Sequence, residues 1–264
     1  MNFSKKQIGF GLLSLAATVI TANSEPVPPA AEEEKTPKFE VTATEVKLPG
    51  VTITRATQEV RIDAKVCLQK GILEYVVCRP NTFEHEAIFT TEANPELVHA
   101  ALLLCGLKPT AQLRGMGELW FEKAMKQKQS RVKIEVEWEQ DGKKKRVNLT
   151  SMLQNRQDIM TTPGQEQPKK EPKVQDAWIF SGSFMQVHTE TKKPFYAANS
   201  SGILVGIWPD PSTVIQYGVV NGDPHKGKHL GLEIHEERVP KVGTEVKLVF
   251  SKHDLPFEKK NRRK

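Results

Sequence analysis

Asn94-Pro95-Glu96-Leu97-Val98-His99-Ala100-Ala101-Leu102-Leu103-Leu104-Cys105-Gly106 (residues 94–106) carries a helix start signal at one end and a stop signal at the other. Asn94 is the expected N-cap, since its side chain can accept from a backbone N–H that the first turn leaves unpaired. Pro95 loses nothing at the first helical position, and Glu96 faces the positive end of the helix dipole. Gly106 closes the helix in the left-handed conformation. The intervening run is apolar on nearly all sides, which predicts burial against a sheet rather than a surface position. Four leucines and a valine, at about 1.5–3 kcal/mol each when buried, make this helix the expected anchor of the fold.

Working outward, the flanking segments read as strands. Val46–Val66 alternates in polarity and is punctuated at Pro49-Gly50 and around Thr57-Gln58. Lys70-Gly71 predicts a turn into a strand over Ile72–Cys78, ended by Arg79-Pro80-Asn81. Residues 85–91 read as a fourth strand or an extended link. Downstream, Val132, Ile134, Val136 and Trp138 share one face, with Lys133, Glu135 and Glu137 on the other. Asp141-Gly142 reverses that strand into Lys145–Leu149, giving a hairpin with one wet face. Residues 154–175, rich in Gln, Pro and Lys, read as a flexible surface insertion. Strand-like runs cut by Gly, Pro and Asn fill 176–250, and no period of 20–50 residues repeats. The expected fold class is α+β: a mostly antiparallel β-sheet packed on one buried α-helix at about 95–105. It forms a single compact unit over 39–251, with a bilobed arrangement about the insertion as the alternative.

The N-terminus reads as a secretory signal over residues 1–24. Lys5 and Lys6 form a positive head, Ile8–Ala22 is apolar, and Ala22-Asn23-Ser24 places small residues where a signal peptidase acts. The apolar run falls short of the roughly 20 residues that span a bilayer, so no transmembrane segment is expected. Pro, Ala and Glu dominate 25–38, which reads as a disordered leader, and 252–264 as a basic tail. The expected localisation is periplasmic or extracellular.

The chain carries 38 Lys and Arg against 32 Asp and Glu. Removing the signal lowers the formal net charge from +6 to about +4. Five basic residues sit within Lys259–Lys264, so the excess does not spread over a folded face, and no nucleic-acid partner is expected. Three cysteines in an oxidising compartment leave at least one unpaired within the chain. A hairpin across Lys70-Gly71 would separate Cys67 and Cys78 by about 14 Å along the strands. A disulfide needs its Cα atoms within about 7 Å. Three buried, inert thiols are expected, with one disulfide through Cys105 as the alternative.

The order of elements resembles the YdjY-domain family of exported proteins in planctomycete-type bacteria. The residues that carry it are Val66-Cys67-Leu68, Gly71 with Leu73-Glu74, Cys78, Glu84-His85-Glu86 and Val98-His99-Ala100-Ala101-Leu102-Leu103. Trp178-Ile179-Phe180-Ser181-Gly182-Ser183, Tyr196-Ala197-Ala198-Asn199, Glu237-Arg238-Val239-Pro240 and Lys247-Leu248 continue it over roughly 46–250. The resemblance implies a family and a compartment and brings no activity with it. Some members bear an iron–sulfur label, for which three thiols fall short of the usual four ligands.

Glu84, His85, Glu86 and His99 form the best candidate cluster, since a His flanked by carboxylates can bind zinc or act as a base. On a strand, however, Glu84 and Glu86 would share one face and His85 the other. The H-E-x-x-H spacing fails at Phe89, and again at Val239 after His235-Glu236. Phe180-Ser181-Gly182-Ser183-Phe184 lacks the G-x-S-x-G pattern and the following helix of a nucleophile elbow, so Ser183 reads as part of a bulge or a close backbone approach. Trp178, Trp208, Tyr196 and Tyr217 read as core, with a ligand groove as the alternative. Gly222–His229 is a loop with two histidines and incidental metal affinity at most. The expected function is a non-catalytic envelope module that binds a ligand or a protein partner, with no cofactor. The alternative is a metal-dependent enzyme or carrier using zinc at Glu84, His85, Glu86 and His99.

Overall fold

A computed structural model describes residues 39–110, 117–156, 173–219 and 231–254. The strands and helices in chain order begin with β1 (Glu40–Val41), β2 (Glu45–Leu48), β3 (Val51–Thr54), β4 (Glu59–Val66), β5 (Ile72–Leu73), β6 (Tyr75–Cys78) and β7 (Phe89–Thr90). Then follow α1 (Pro95–Leu104), α2 (Gly117–Lys126), β8 (Arg131–Gln140), β9 (Lys143–Asn148), β10 (Leu153–Asn155), β11 (Trp178–Phe180), β12 (Met185–Val187) and β13 (Pro194–Tyr196). The order ends with α3 (Ala197–Ser201), β14 (Ile203–Gly206), β15 (Ile215–Tyr217), β16 (Leu232–Ile234) and β17 (Glu245–Lys252).

The sheet order runs β4, β17, β8, β11, β15, β14, β6, β7, and β7 pairs back onto β4, so these eight strands close into a barrel. β1, β2 and β3 extend from β4, and β9 adds to β8. All pairings in the ring are antiparallel except β14–β15 and β6–β7. The α+β expectation of a sheet packed on one helix is therefore corrected: among the described residues the molecule is mostly β, strand far outweighing helix. The physical reason lies in the register. Val60, Phe250 and Ile134 form one inward row, and Ile62, Leu248 and Val136 the next. All six are buried, so the sheet covers its own apolar face by curling.

The helix at 94–106 forms as expected, with Asn94 Oδ1 accepting from Glu96 N at 2.8 Å. Its burial is one-sided. Pro95, Val98, Ala101 and Leu102 are buried, while Leu103 is 45% exposed and Leu104 66%. Val98, Ala101 and Leu102 share the main core with Val51, Ile53, Val60 and Ile62 of β3 and β4, and at 100° per residue the helix buries only that stripe. α2 covers another part of the barrel wall. Trp120, Phe121 and Ala124 pack on Ile179, whose neighbours Trp178 and Phe180 belong to the main core.

The β8–β9 hairpin turns at Asp141 (φ 53°) and Gly142 (φ 68°), the paired left-handed residues of a type I′ turn. The hairpin expected across Lys70-Gly71 does not form. Leu73 pairs with Leu232 of β16, and β6 lies between β14 and β7, with β7 separating it from β4. Barrel closure, a set of long-range pairings, decides the neighbours of these short segments. The start of the expected insertion is also ordered, since Gln154 and Asn155 pair with Glu233 and Leu232. The expected basic tail begins in strand at Lys252, and His253 N donates to Arg131 O at 3.0 Å. The expected signal (1–24), the leader (25–38), residues 157–172 of the insertion, the loop at 222–229 and residues 255–264 of the tail lie outside the described residues.

Candidate functional site

His99 projects from α1 onto the segment that follows β11. Its Nδ1 lies 2.7 Å from Tyr196 Oη, and Tyr196 Oη donates to Gly182 O at 2.9 Å. A tyrosine hydroxyl has one proton, so His99 Nδ1–H is the donor in the first bond. The ring of His99 meets Phe180 edge-on at 4.9 Å. Burial holds the His99 imidazole below its ordinary pKa, and burial likewise raises the Tyr196 phenol. Both stay neutral at physiological pH, and the chain of bonds ties helix to loop.

Gly182 has φ 87° and Ser183 φ 50°, so two consecutive left-handed residues turn the chain sharply here. A Cβ at Gly182 would lie 2.5 Å from Pro109 Cβ, which is the close approach expected of a small residue. Ser183 Oγ accepts from Ala198 N at 3.2 Å, and Asn199 Nδ2 donates to Glu96 Oε2 at 3.0 Å. His99, Phe180–Ser183 and Tyr196–Asn199 are far apart in sequence and meet at this junction, where their polar groups bond to one another.

Glu84, His85 and Glu86 form a 3-10 turn rather than a strand. The side chain of His85 is 71% exposed, with Nε2 3.7 Å from Glu86 Oε1. The contacts of His99 run to Phe180 and Tyr196, not to this turn. Among the described residues, no group of three or more His, Cys, Asp and Glu side chains is arranged to hold a metal ion.

Trp178, Tyr196 and Tyr217 are buried, with Trp178 and Tyr217 in ring contact at 4.9 Å, while Trp208 is half-buried. All three thiols are free. Burial pushes Cys67 up to about 12 and Cys105 up to about 11. Cys67 Sγ donates to Ala87 O at 3.2 Å. Because β7 separates β4 from β6, the hairpin geometry expected for Cys67 and Cys78 does not apply.

The outer face of β4, β8 and the neighbouring parts of β17 and β9 alternates with the inward row and is mostly charged, with Val249, Ser251 and Asn148 as its uncharged members. Arg61 donates to Glu59 and Glu137, both at 2.7 Å. Arg146 donates to Glu59 and Glu135 at 2.7 Å and to Glu137 at 2.9 Å. Burial alone would raise the Glu59 and Glu135 carboxyls, but hydrogen bonds, led by those from Arg146, hold both below the ordinary value.

Two concave surfaces meet at Trp138, while another of about 500 Å³ lies on β2, β3 and β4 between Glu45, Thr52 and Asp63. Trp138 continues the inward row of Val132, Ile134 and Val136, but it stands beyond the last β17–β8 pair, Lys247 with Glu137. Its indole is half-buried, with Nε1 donating to Gln140 Oε1 at 3.4 Å. On one side a groove of about 590 Å³ runs between Trp138, Gln140 and Lys145 on the hairpin and Arg238, Pro240 and Lys241 opposite. On the other, a groove of about 700 Å³ shares Trp138, Glu139 and Lys145 and reaches the outer charged face.

The far wall of the first groove is fixed. Gln69 Nε2 donates to Val239 O at 3.2 Å, Arg238 Nη1 to Ser151 O at 3.2 Å, and His235 N to Met152 O at 2.9 Å. The alternating pattern put Trp138 on one face with Val132, Ile134 and Val136, and it does pack against the edge of the main core while also lining both grooves. The signal that separates it is its position three residues before the Asp141-Gly142 turn, where an inward side chain has outrun the strands that would cover it.

No curated protein and no solved structure matches the chain. The sequence model of the YdjY domain matches residues 51–251, from the first residue of β3 to within one residue of the end of β17. That span takes in the whole barrel, the His99–Tyr196 junction and the Trp138 grooves, and the chain belongs to the YdjY-domain family.

Proposed function

We propose that this chain is an exported envelope protein that works without catalysis, as a binding module whose ligand or partner segment lies in the grooves at Trp138. The observation that carries the reading is the half-buried indole of Trp138 at the meeting of two grooves of about 590 and 700 Å³. Binding sites are concave and combine aromatic surface with a few fixed polar groups. The motif side chains at the other candidate position support the same reading. His99, Tyr196 and Ser183 spend their hydrogen bonds on the junction of α1 with the chain after β11.

Two experiments test this. Intact mass of the mature protein should place its N-terminus at or near Glu25, and an unprocessed, membrane-retained chain would overturn export. Backbone and indole NMR of the purified chain, titrated with a soluble extract of the producing cells' envelope, should shift Trp138, Gln140 and Arg238 together. Trp138→Ala should abolish those shifts. Saturable shifts confined to Glu84–Glu86 or His99 would overturn the assignment of the site.

A further inference from the structure

Resting on that reading, we infer that the ligand class of the Trp138 groove is an uncharged glycan chain. The first argument is charge. Glu139, Asp141 and Glu237 line the groove against Lys145, Arg238 and Lys241, three acids to three bases, so it offers no excess of either sign. An anionic ligand such as a nucleotide or a phosphorylated headgroup selects a surplus of cations, and a basic peptide selects a surplus of carboxylates. A groove with balanced, interspersed charges selects a ligand that needs many donors and acceptors and carries no charge itself.

The second argument is the form of the apolar surface. It is not a closed apolar pocket but a small open patch made by the half-buried Trp138 indole, Val147 and Pro240, with Val239 itself buried behind the far wall. A pyranose ring has an apolar C–H face that lies flat on an aromatic ring, and its edge carries hydroxyls that both donate and accept. Carboxylates accept from such hydroxyls, and guanidinium, ammonium and amide groups donate to them. Glu139, Arg238, Lys241 and Gln140 supply each of these kinds around Trp138.

The third argument is preorganisation. The wall facing Trp138 is tied to the barrel end by Gln69 to Val239 and by Arg238 to Ser151. Gly243 N donates to Val66 O at 2.8 Å, and Val66 N to Thr244 O at 3.0 Å. A wall fixed in this way keeps its spacing from the indole without a ligand, which lowers the ordering cost of binding. The second groove, on the other side of the same indole, lets a chain longer than the first groove continue past Trp138.

The test uses the mature full chain and two uncharged probes, N-acetylglucosamine tetramer and cellotetraose, with a neutral tetrapeptide as comparison. The Trp138 indole signal is assigned by its loss in Trp138→Phe. The expected result is a saturable shift of that signal, with shifts at Gln140 and Lys241, for at least one saccharide and not for the tetrapeptide. Trp138→Ala should weaken that binding by about tenfold or more, as loss of a central aromatic anchor does. Lys241→Ala, an exposed change outside the core, should weaken it less and leave the melting temperature unchanged. Saccharides that leave Trp138 unmoved while the envelope extract still shifts it would overturn the glycan assignment and keep the groove. Trp138 silent to both would overturn the groove as well.

Discussion

Gly182→Ala should be among the most damaging single-methyl changes in this protein. The new Cβ would stand 2.5 Å from Pro109 Cβ, and φ at Gly182 is 87°. Holding alanine in the left-handed region costs about 1–2 kcal/mol. Pro109 cannot easily yield, because Lys108 N donates to Gln129 O and Thr110 N to Phe180 O, both at 2.9 Å. Forcing that contact adds the overpacking cost of about 1–3 kcal/mol, for a total of about 2–5 kcal/mol. Each kcal/mol lowers the melting temperature of a chain this size by about 2–4 °C. Gly106→Ala is the internal control, since φ is 78° there but nothing lies within 4 Å of the added methyl. It carries the backbone cost alone, about 1–2 kcal/mol. Urea melts of the two variants separate clash from strain. Equal losses would refute the close approach of Gly182 to Pro109, and with it the packing of the His99–Tyr196 junction.

Leu102→Ala should cost about 2–5 kcal/mol in a urea melt, because the side chain is 0% exposed within the main core. Leu104→Ala, at 66% exposure, should change stability little, within about 0.5 kcal/mol. Arg146→Ala should cost about 1–3 kcal/mol, since it strips donors from Glu59, Glu135 and Glu137 together. Acid should act in two steps. The lowered His99 pKa means the unfolded chain takes up a proton that the fold refuses, so stability falls as the pH drops below about 6.5, a fall that His99→Phe should remove. The lowered Glu59 and Glu135 pKa values contribute stability above about 4.3 that is lost as the pH falls further, a step that Arg146→Ala should flatten. Melts from pH 8 to 3 read both steps.

The local elements were readable because their signals are local. Asn94, Pro95 and Gly106 bracket α1, and Asp141-Gly142 places the β8–β9 turn by its backbone preference. The architecture was not, because barrel closure depends on pairs far apart in the chain. β17 inserts between β4 and β8, and the two-residue β7 joins β4 to β6. Phe89-Thr90 is too short for any period to show, and the Lys70-Gly71 turn suggested a hairpin in its place. The all-round apolar helix misled for a related reason: Leu103 and Leu104 fit a buried helix, yet α1 turns only its Val98, Ala101 and Leu102 side to the core and exposes both. His99 and Trp138 show the same limit at the candidate sites. The pattern ranked His99 with Glu84–Glu86, but Tyr196 and Gly182, about 80–100 residues downstream, take up its hydrogen bonds. Trp138 shares its face with the core residues and packs against them, and only the point at which β17 stops reveals that it also lines a groove.

The closed barrel is the central claim, because it creates the mouth at which Trp138 stands. Interstrand NOEs in a uniformly labelled sample test it directly. The account requires close backbone NOEs from Lys65 and Val66 to Phe89 and Thr90, and from Val77 and Cys78 to the same two residues. NOEs running directly from Val66 to Tyr75 and from Ala64 to Val77, with none to Phe89, would make β4 and β6 a simple hairpin and contradict the barrel.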